Sequence, residues 1–227
     1  MQKYQLIQLL LKNFSLTSND VFSKYENKFF NGNDYSKIRF FEDVVFNKLQ
    51  NKNEDYIIKK CASLKHHMDR RSPLDYGLDL LYGWIIEDII EKLLINKGFD
   101  VFISSADADR EFLPSKLIKA SYDFHISKKT VKREVEILVD WKETWSRYNH
   151  LDLRDNKYLN LKEQNALLLG VAPQSNNFLL IDLSKPNLPF EKNFITAYRK
   201  YGYSIMDVQK HLMNFNQVIL ELDSLFS

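Results

Sequence analysis

Asp140 and Lys142 stand two residues apart at the end of an otherwise apolar run, EVEILVDWK. Alternate residues of a strand point to one face, with roots about 7 Å apart, so the pair is expected to project side by side. A carboxylate there can hold a divalent cation through oxygen. A neighbouring ammonium can orient water and offset charge on a phosphate. A second acid, Asp123 in SYDFHIS, lies 17 residues upstream across an expected hairpin whose turn is KKTVKR. A third, Glu87, lies on the apolar helix DYGLDLLYGWIIEDIIEKLLINKGFD, with Glu91 one turn later as its competitor. Glu136 shares the strand face of Asp140 and is a candidate accessory ligand.

Helical Glu, strand Asp and Asp-x-Lys, in that order, resemble the PD-(D/E)xK nuclease superfamily over residues 77–172. Tyr122 occupies the place of the motif's proline. The resemblance implies that Asp123, Asp140 and Glu87 hold Mg²⁺, with Mn²⁺ able to substitute. It further implies that Lys142 positions the attacking water, so that the catalytic set is Asp123, Asp140, Lys142 and Glu87. A compact chain with no motor parts is most similar to a type II restriction endonuclease. Such an enzyme works as a homodimer on palindromic double-stranded DNA and is encoded beside a companion methyltransferase. Length and composition are also similar to those of the AT-specific rare cutters of low-GC bacteria. Two other readings stay open: a repair or junction-resolving nuclease that recognises DNA shape, and a DNA-binding protein without catalysis.

Basic and aromatic residues surround the proposed site. Lys128, Lys129, Lys132 and Arg133 of the turn, and Lys65, Arg70 and Arg71 of an upstream basic cluster, are candidate phosphate contacts. Trp145, Arg147, Tyr148, Asn149 and Arg154 follow Lys142 and suit base-edge and backbone contacts. Adjacent His66 and His67 point apart on a helix and are not a metal pair. Asp107 and Asp109 read as a polar loop. Cys61, the single cysteine, has no nucleophile setting and excludes a disulfide framework. Neither a phosphate-cradling GxxxxGK[ST] loop nor GxGxxG occurs, which removes nucleotide-driven motor and dinucleotide readings.

These side chains need a scaffold, and 227 residues allow one substantial core. Hydrophobic residues at 44% and charged residues at 27% describe a globular chain, and a net charge of +2 leaves nucleic-acid binding to local patches. No run approaches the length of a membrane span, and the N-terminal MQKYQLIQLLLKNF is too polar for a signal peptide, so a cytoplasmic protein is expected. Abundant Lys, Asn, Ile, Phe and Tyr suit an AT-rich bacterial or phage genome.

One domain is expected, in three parts. Residues 1–72 read as helical, with Asn19 and Ser36 as caps. Residues 73–183 read as an α/β catalytic core: the long helix after Pro73, its C-cap Gly98, strands FDVFIS, SYDFHIS and EVEILVDWK, a helix over LDLRDNKYLNLKEQN, and strands ALLLGVA and NNFLLIDL. Residues 184–227 read as helical, over FEKNFITAYRKYG and SIMDVQKHLMNFNQVILELDSLF. A helix crossing between strands predicts a mixed central sheet flanked by helices, the core of a restriction-endonuclease-like fold.

Overall fold

The computed structural model describes residues 1–30, 35–64, 69–104, 108–113, 122–186, 188, 190–195 and 200–227. Lys65, His66, His67 and Asp107 lie outside the described residues. The chain is mixed α/β and groups into two compact units. One holds residues 1–93 with 106–119, the other 94–105 with 120–227.

The first unit is helical: α1 (Lys3–Asn13), α2 (Ser18–Phe22), α3 (Lys37–Val45), α4 (Asn51–Leu64) and most of α5 (Pro73–Ile95). The cap of α2 is Thr17 rather than Asn19. Its hydroxyl accepts the Asp20 amide at 3.2 Å while the Asp20 carboxylate accepts the Thr17 amide at 2.8 Å. This reciprocal box satisfies two helix-end donors, which Asn19 inside the first turn does not. Ser36 caps α3 as expected, accepting the Arg39 amide. The core is aromatic: Phe30 stacks on Phe40 at 3.7 Å, and Trp84 tilts against Phe112 at 5.3 Å. In α5, Leu81, Ile85, Ile86, Ile89 and Ile90 are all fully buried, as an apolar circumference requires. Gly77 admits α4: a Cβ there would stand 2.3 Å from Ile57 and 2.8 Å from the Cys61 sulfur.

The second unit opens with Gly98 at φ +83°, where the Phe99 amide donates back to the Leu94 carbonyl and closes α5. Its strands are β1 (Asp100–Ile103), β2 (Phe124–Lys128), β3 (Val131–Val139), β4 (His150–Arg154), β5 (Leu167–Ala172), β6 (Asn177–Asp182), β7 (Phe190–Ile195), β8 (Lys200–Met206) and β9 (Leu212–Met213). Helices α6 (Thr144–Tyr148), α7 (Asp155–Glu163) and α8 (Phe215–Leu225) accompany them. The main sheet has the order β1-β2-β3-β5-β6-β9, and only β3 and β5 run parallel. A second sheet, β4-β8-β7, is antiparallel throughout.

Three stretches differ from expectation, one of them SIMDVQKHLM, which ends β8, makes a short 3-10 turn and forms β9, so that the expected helix begins only at Phe215. FEKNFITAYRKYG supplies β7 and β8 instead of a helix, so residues 184–227 carry strands as well as α8. Its aromatic and β-branched residues fit pleated pairing, with Phe194 opposite Tyr201 at 5.6 Å between rings. LDLRDNKYLNLKEQN is β4 followed by α7, and only Asp155 onward is helical. Leu151 and Leu153 are buried by strand alternation on either side of Asp152, a pattern too short to stand out from a helical reading.

Candidate active site

The β2–β3 hairpin closes through a tight turn, with Lys128 opposite Val131 and Lys129 in the left-handed region at φ +55°. At its other end the ladder is distorted. The Asp123 amide donates to the Val135 carbonyl at 3.0 Å, and its carboxylate accepts the Ile137 amide at 2.8 Å. Asp123 therefore rests on the peptide joining Glu136 to Ile137. Its own carbonyl accepts the Ser104 amide, which ties the site to the end of β1.

Asp140 lies elsewhere. Strand β3 ends at Val139; the Asp140 amide still donates to Val171 of β5 at 2.9 Å, but the chain then turns through Trp141 and Lys142. Asp140 is buried and its carboxylate is held on both oxygens. One accepts the Thr144 hydroxyl at 2.8 Å and the Lys142 amide at 3.3 Å, the other the Trp145 amide at 2.7 Å. Lys142 is exposed. The expected side-by-side projection is thus replaced by a buried acid and a solvent-facing base, because strand alternation stops before the pair. Asp140 is also four residues beyond Glu136, roughly 13 Å along an extended chain.

Glu136 is buried on β3, and the Lys157 ammonium of α7 meets its carboxylate at 2.7 Å. The parallel crossover from β3 to β5 carries α7, so chain topology delivers this lysine to the strand. The hairpin carries a second polar group that sequence reading overlooked. The Tyr122 hydroxyl lies 2.7 Å from His125 Nε2, and His125 sits opposite Glu134 in the hairpin register. Burial, with Lys132 nearby, holds the His125 pKa below its usual value. The hairpin register places His125 opposite Glu134 once the turn is known, and Tyr122, three residues from His125, reaches it because the chain bends ahead of β2; charged residues around a basic turn look like ordinary surface. Lys157 carried no signal, since it lies in a helix between strands.

In the other unit, the Arg110 guanidinium is fully buried. It donates to Glu87 at 2.6 Å and to Asp88 at 2.7 and 3.2 Å. Lys24 reaches Asp88 at 2.9 Å and also bonds Glu91. Burial pushes the Glu91 carboxyl up, with Lys24 opposing it. Both helical acids, Glu87 and Glu91, therefore belong to an ion network that fastens the segment around Arg110 to α5.

The expected DNA contacts divide. Trp145 is 4% exposed and packs edge-on over Gly170, where a Cβ would come within 2.5 Å of the indole, so it serves the core and not the surface. Asn149, left-handed at φ +54°, donates to Asp207 and accepts the Gln209 amide, which commits it to the fold. Lys128 pairs with Asp223, and Arg133 with Asp182 at 2.5 Å and the Asn165 carbonyl. Arg71 pairs with Asp69 and Asp79 and stacks on Tyr76. Arg70, Lys129, Lys132, Arg147, Tyr148 and Arg154 are exposed.

Among the described residues no three His, Cys, Asp or Glu side chains converge as a metal cage. No described helix is long and apolar enough to cross a membrane. No protein-family model matches the chain, and no curated protein matches its sequence.

Proposed function

We propose that the protein is a Mg²⁺-dependent nuclease that hydrolyses phosphodiester bonds of double-stranded DNA, of the type II restriction endonuclease kind. The observation that carries the reading is the Asp123 carboxylate at the head of β2, 2.8 Å from the peptide that follows Glu136 on β3. Two carboxyl-bearing residues thus adjoin across one hairpin. Support also comes from the chain order α5, β1, β2, β3, α6, β4, α7, β5, with β3 and β5 parallel: apart from the added α6 and β4, this follows the helix, strand, hairpin, helix, strand order that the resemblance implies.

Asp123 and one further carboxylate, Glu136 of β3 or Asp140 just past its end, would hold Mg²⁺, whose chemistry when bound is to acidify water and polarise a phosphoryl oxygen. A lysine, Lys142 or Lys157, would hydrogen-bond the attacking water and offset phosphate charge. In the step, the water oxygen forms a bond to phosphorus and the bond from phosphorus to the leaving sugar oxygen breaks. The water gives a proton to solvent, and the leaving alkoxide takes one up. Exposed Lys129, Lys132, Arg147 and Arg154 would meet phosphates of a duplex bound as a homodimer.

The test is incubation of the purified protein with a long duplex DNA of known sequence, in Mg²⁺ and in EDTA. Discrete Mg²⁺-dependent fragments are expected. A Mg²⁺-dependent smear would favour a shape-specific nuclease, and intact DNA across AT-rich and GC-rich substrates would overturn the reading.

A further inference from the structure

We infer that Glu136 of β3 and Lys157 of α7, rather than Asp140 and Lys142, complete the site that Asp123 begins. The inference rests on the nuclease reading for its chemistry, but its geometry stands apart from that reading. Four relationships carry it.

The first is proximity. Asp123 lies on the peptide following Glu136, whereas Asp140 is four residues further along the chain, past the end of β3. The second is what each acid already does. Asp140 accepts three hydrogen bonds from the turn and first residues of α6. Turning its oxygens to a cation would strip the buried Trp145 amide of its acceptor. The third is the lysine. Position 138, two beyond Glu136, is Leu138, so β3 offers no ammonium beside Glu136 on that face. Lys157 provides one from the crossover helix, at 2.7 Å from Glu136 and with a third of its side chain exposed, so it can reach a phosphate in solvent. The fourth is the nature of that ammonium. A lysine is a compact charge on a flexible stem, able to move from a carboxylate to an anionic substrate once a cation takes the carboxylate.

Resting Lys157 therefore occupies the cation's place at Glu136. Binding of a divalent ion to Asp123 and Glu136 would release it toward the incoming phosphate. Cation binding and delivery of the ammonium are coupled by a single ion-pair exchange.

The experiment titrates Mn²⁺ into the apoprotein, following free Mn²⁺ by its paramagnetic resonance signal, and measures Mg²⁺-dependent DNA cleavage in parallel. Wild type, Glu136→Gln, Lys157→Met and Lys162→Met are compared, with circular dichroism to check folding. Glu136→Gln is expected to weaken Mn²⁺ by about 10-fold or more. Lys157→Met is expected to bind Mn²⁺ as tightly as wild type or more tightly, yet to cut DNA about 100-fold more slowly. Lys162→Met, on the same helix, should match wild type in both. Because Lys157 is partly exposed, its variant keeps the test decisive if Glu136→Gln misfolds. Unchanged Mn²⁺ affinity in folded Glu136→Gln overturns the inference, as does wild-type cleavage by Lys157→Met. Loss of cleavage in Lys142→Met with retention in Lys157→Met overturns it too. Glu136-dependent Mn²⁺ binding by a protein that cuts no DNA upholds the ligand assignment and overturns the nuclease reading.

Discussion

The Asp140 carboxylate accepts the Trp145 amide at 2.7 Å, so the acid just past the end of β3 also holds the first turn of α6. This joins the sheet to the core on one side of it. The ring of Trp145 lies over Gly170 of β5, the neighbouring strand, and is sealed among Leu151, Leu168 and Leu179. Asp140, a candidate catalytic acid in the sequence, also fastens a buried aromatic residue.

Asp140→Ala is expected to lower unfolding free energy by about 2 kcal/mol, since it orphans a buried amide and removes a helix-start acceptor. Asp140→Asn, which keeps one acceptor oxygen, should lose less. Urea denaturation followed by Trp fluorescence measures both, and an Asp140→Ala protein as stable as wild type would refute the capping role.

Gly170→Ala should destabilise by about 1–3 kcal/mol, because the added methyl meets the Trp145 ring and the neighbouring strand has no room to withdraw. At that position a Cβ would also stand 3.0 Å from Leu179. A blue or red shift of Trp emission should accompany the loss. A neutral variant would mean that the indole does not occupy this place.

Arg110→Met should cost about 3–5 kcal/mol by leaving the Asp88 carboxylate buried with less compensating charge. Arg110 and Asp88 are both fully buried, and their opposed charges stabilise each other where water cannot. Adding Asp88→Asn should recover part of the loss, whereas additive destabilisation in a double-mutant cycle would show that the two do not interact.

Asp182 gives a pH dependence. Burial raises its pKa, but hydrogen bonds from Ser184 and Arg133 outweigh this and leave it below the ordinary 3.8. A depressed carboxylate contributes stability above its unfolded pKa and loses it as pH falls through the folded value. Thermal midpoints of wild type and Asp182→Asn should therefore differ above about pH 4 and converge in stronger acid. A gap that widens on acidification would reverse the assigned sign.

Cys61 is fully buried, and burial pushes its thiol up to about 11. Native protein at pH 8 should resist alkylation by iodoacetamide, and urea should expose the thiol. Rapid labelling of the folded protein would place α4 differently against Gly77.

Much of the scaffold was legible in the residues themselves. The apolar circumference of α5, its Gly98 stop, the hairpin across KKTVKR and the buried run of β5 are local patterns. Helical or strand periodicity and turn chemistry are enough to specify them. Asp123 at the head of β2 was legible for the same reason, as an acid flanked by alternating apolar residues. What periodicity does not encode is where a strand stops being a strand. EVEILVDWK continues its alternation to Lys142, but Asp140 finds the amides of α6, and the chain leaves the sheet there. Nor does local pattern say which helical residue will lie over which strand. Lys157 meets Glu136 because β3 and β5 pair in parallel, forcing the intervening chain to cross the sheet. Sequence determined most elements of the core and their order, though not the strands β4, β7 and β8, which read as helical. Tertiary pairing alone decided which carboxylate received a lysine and which one became a cap.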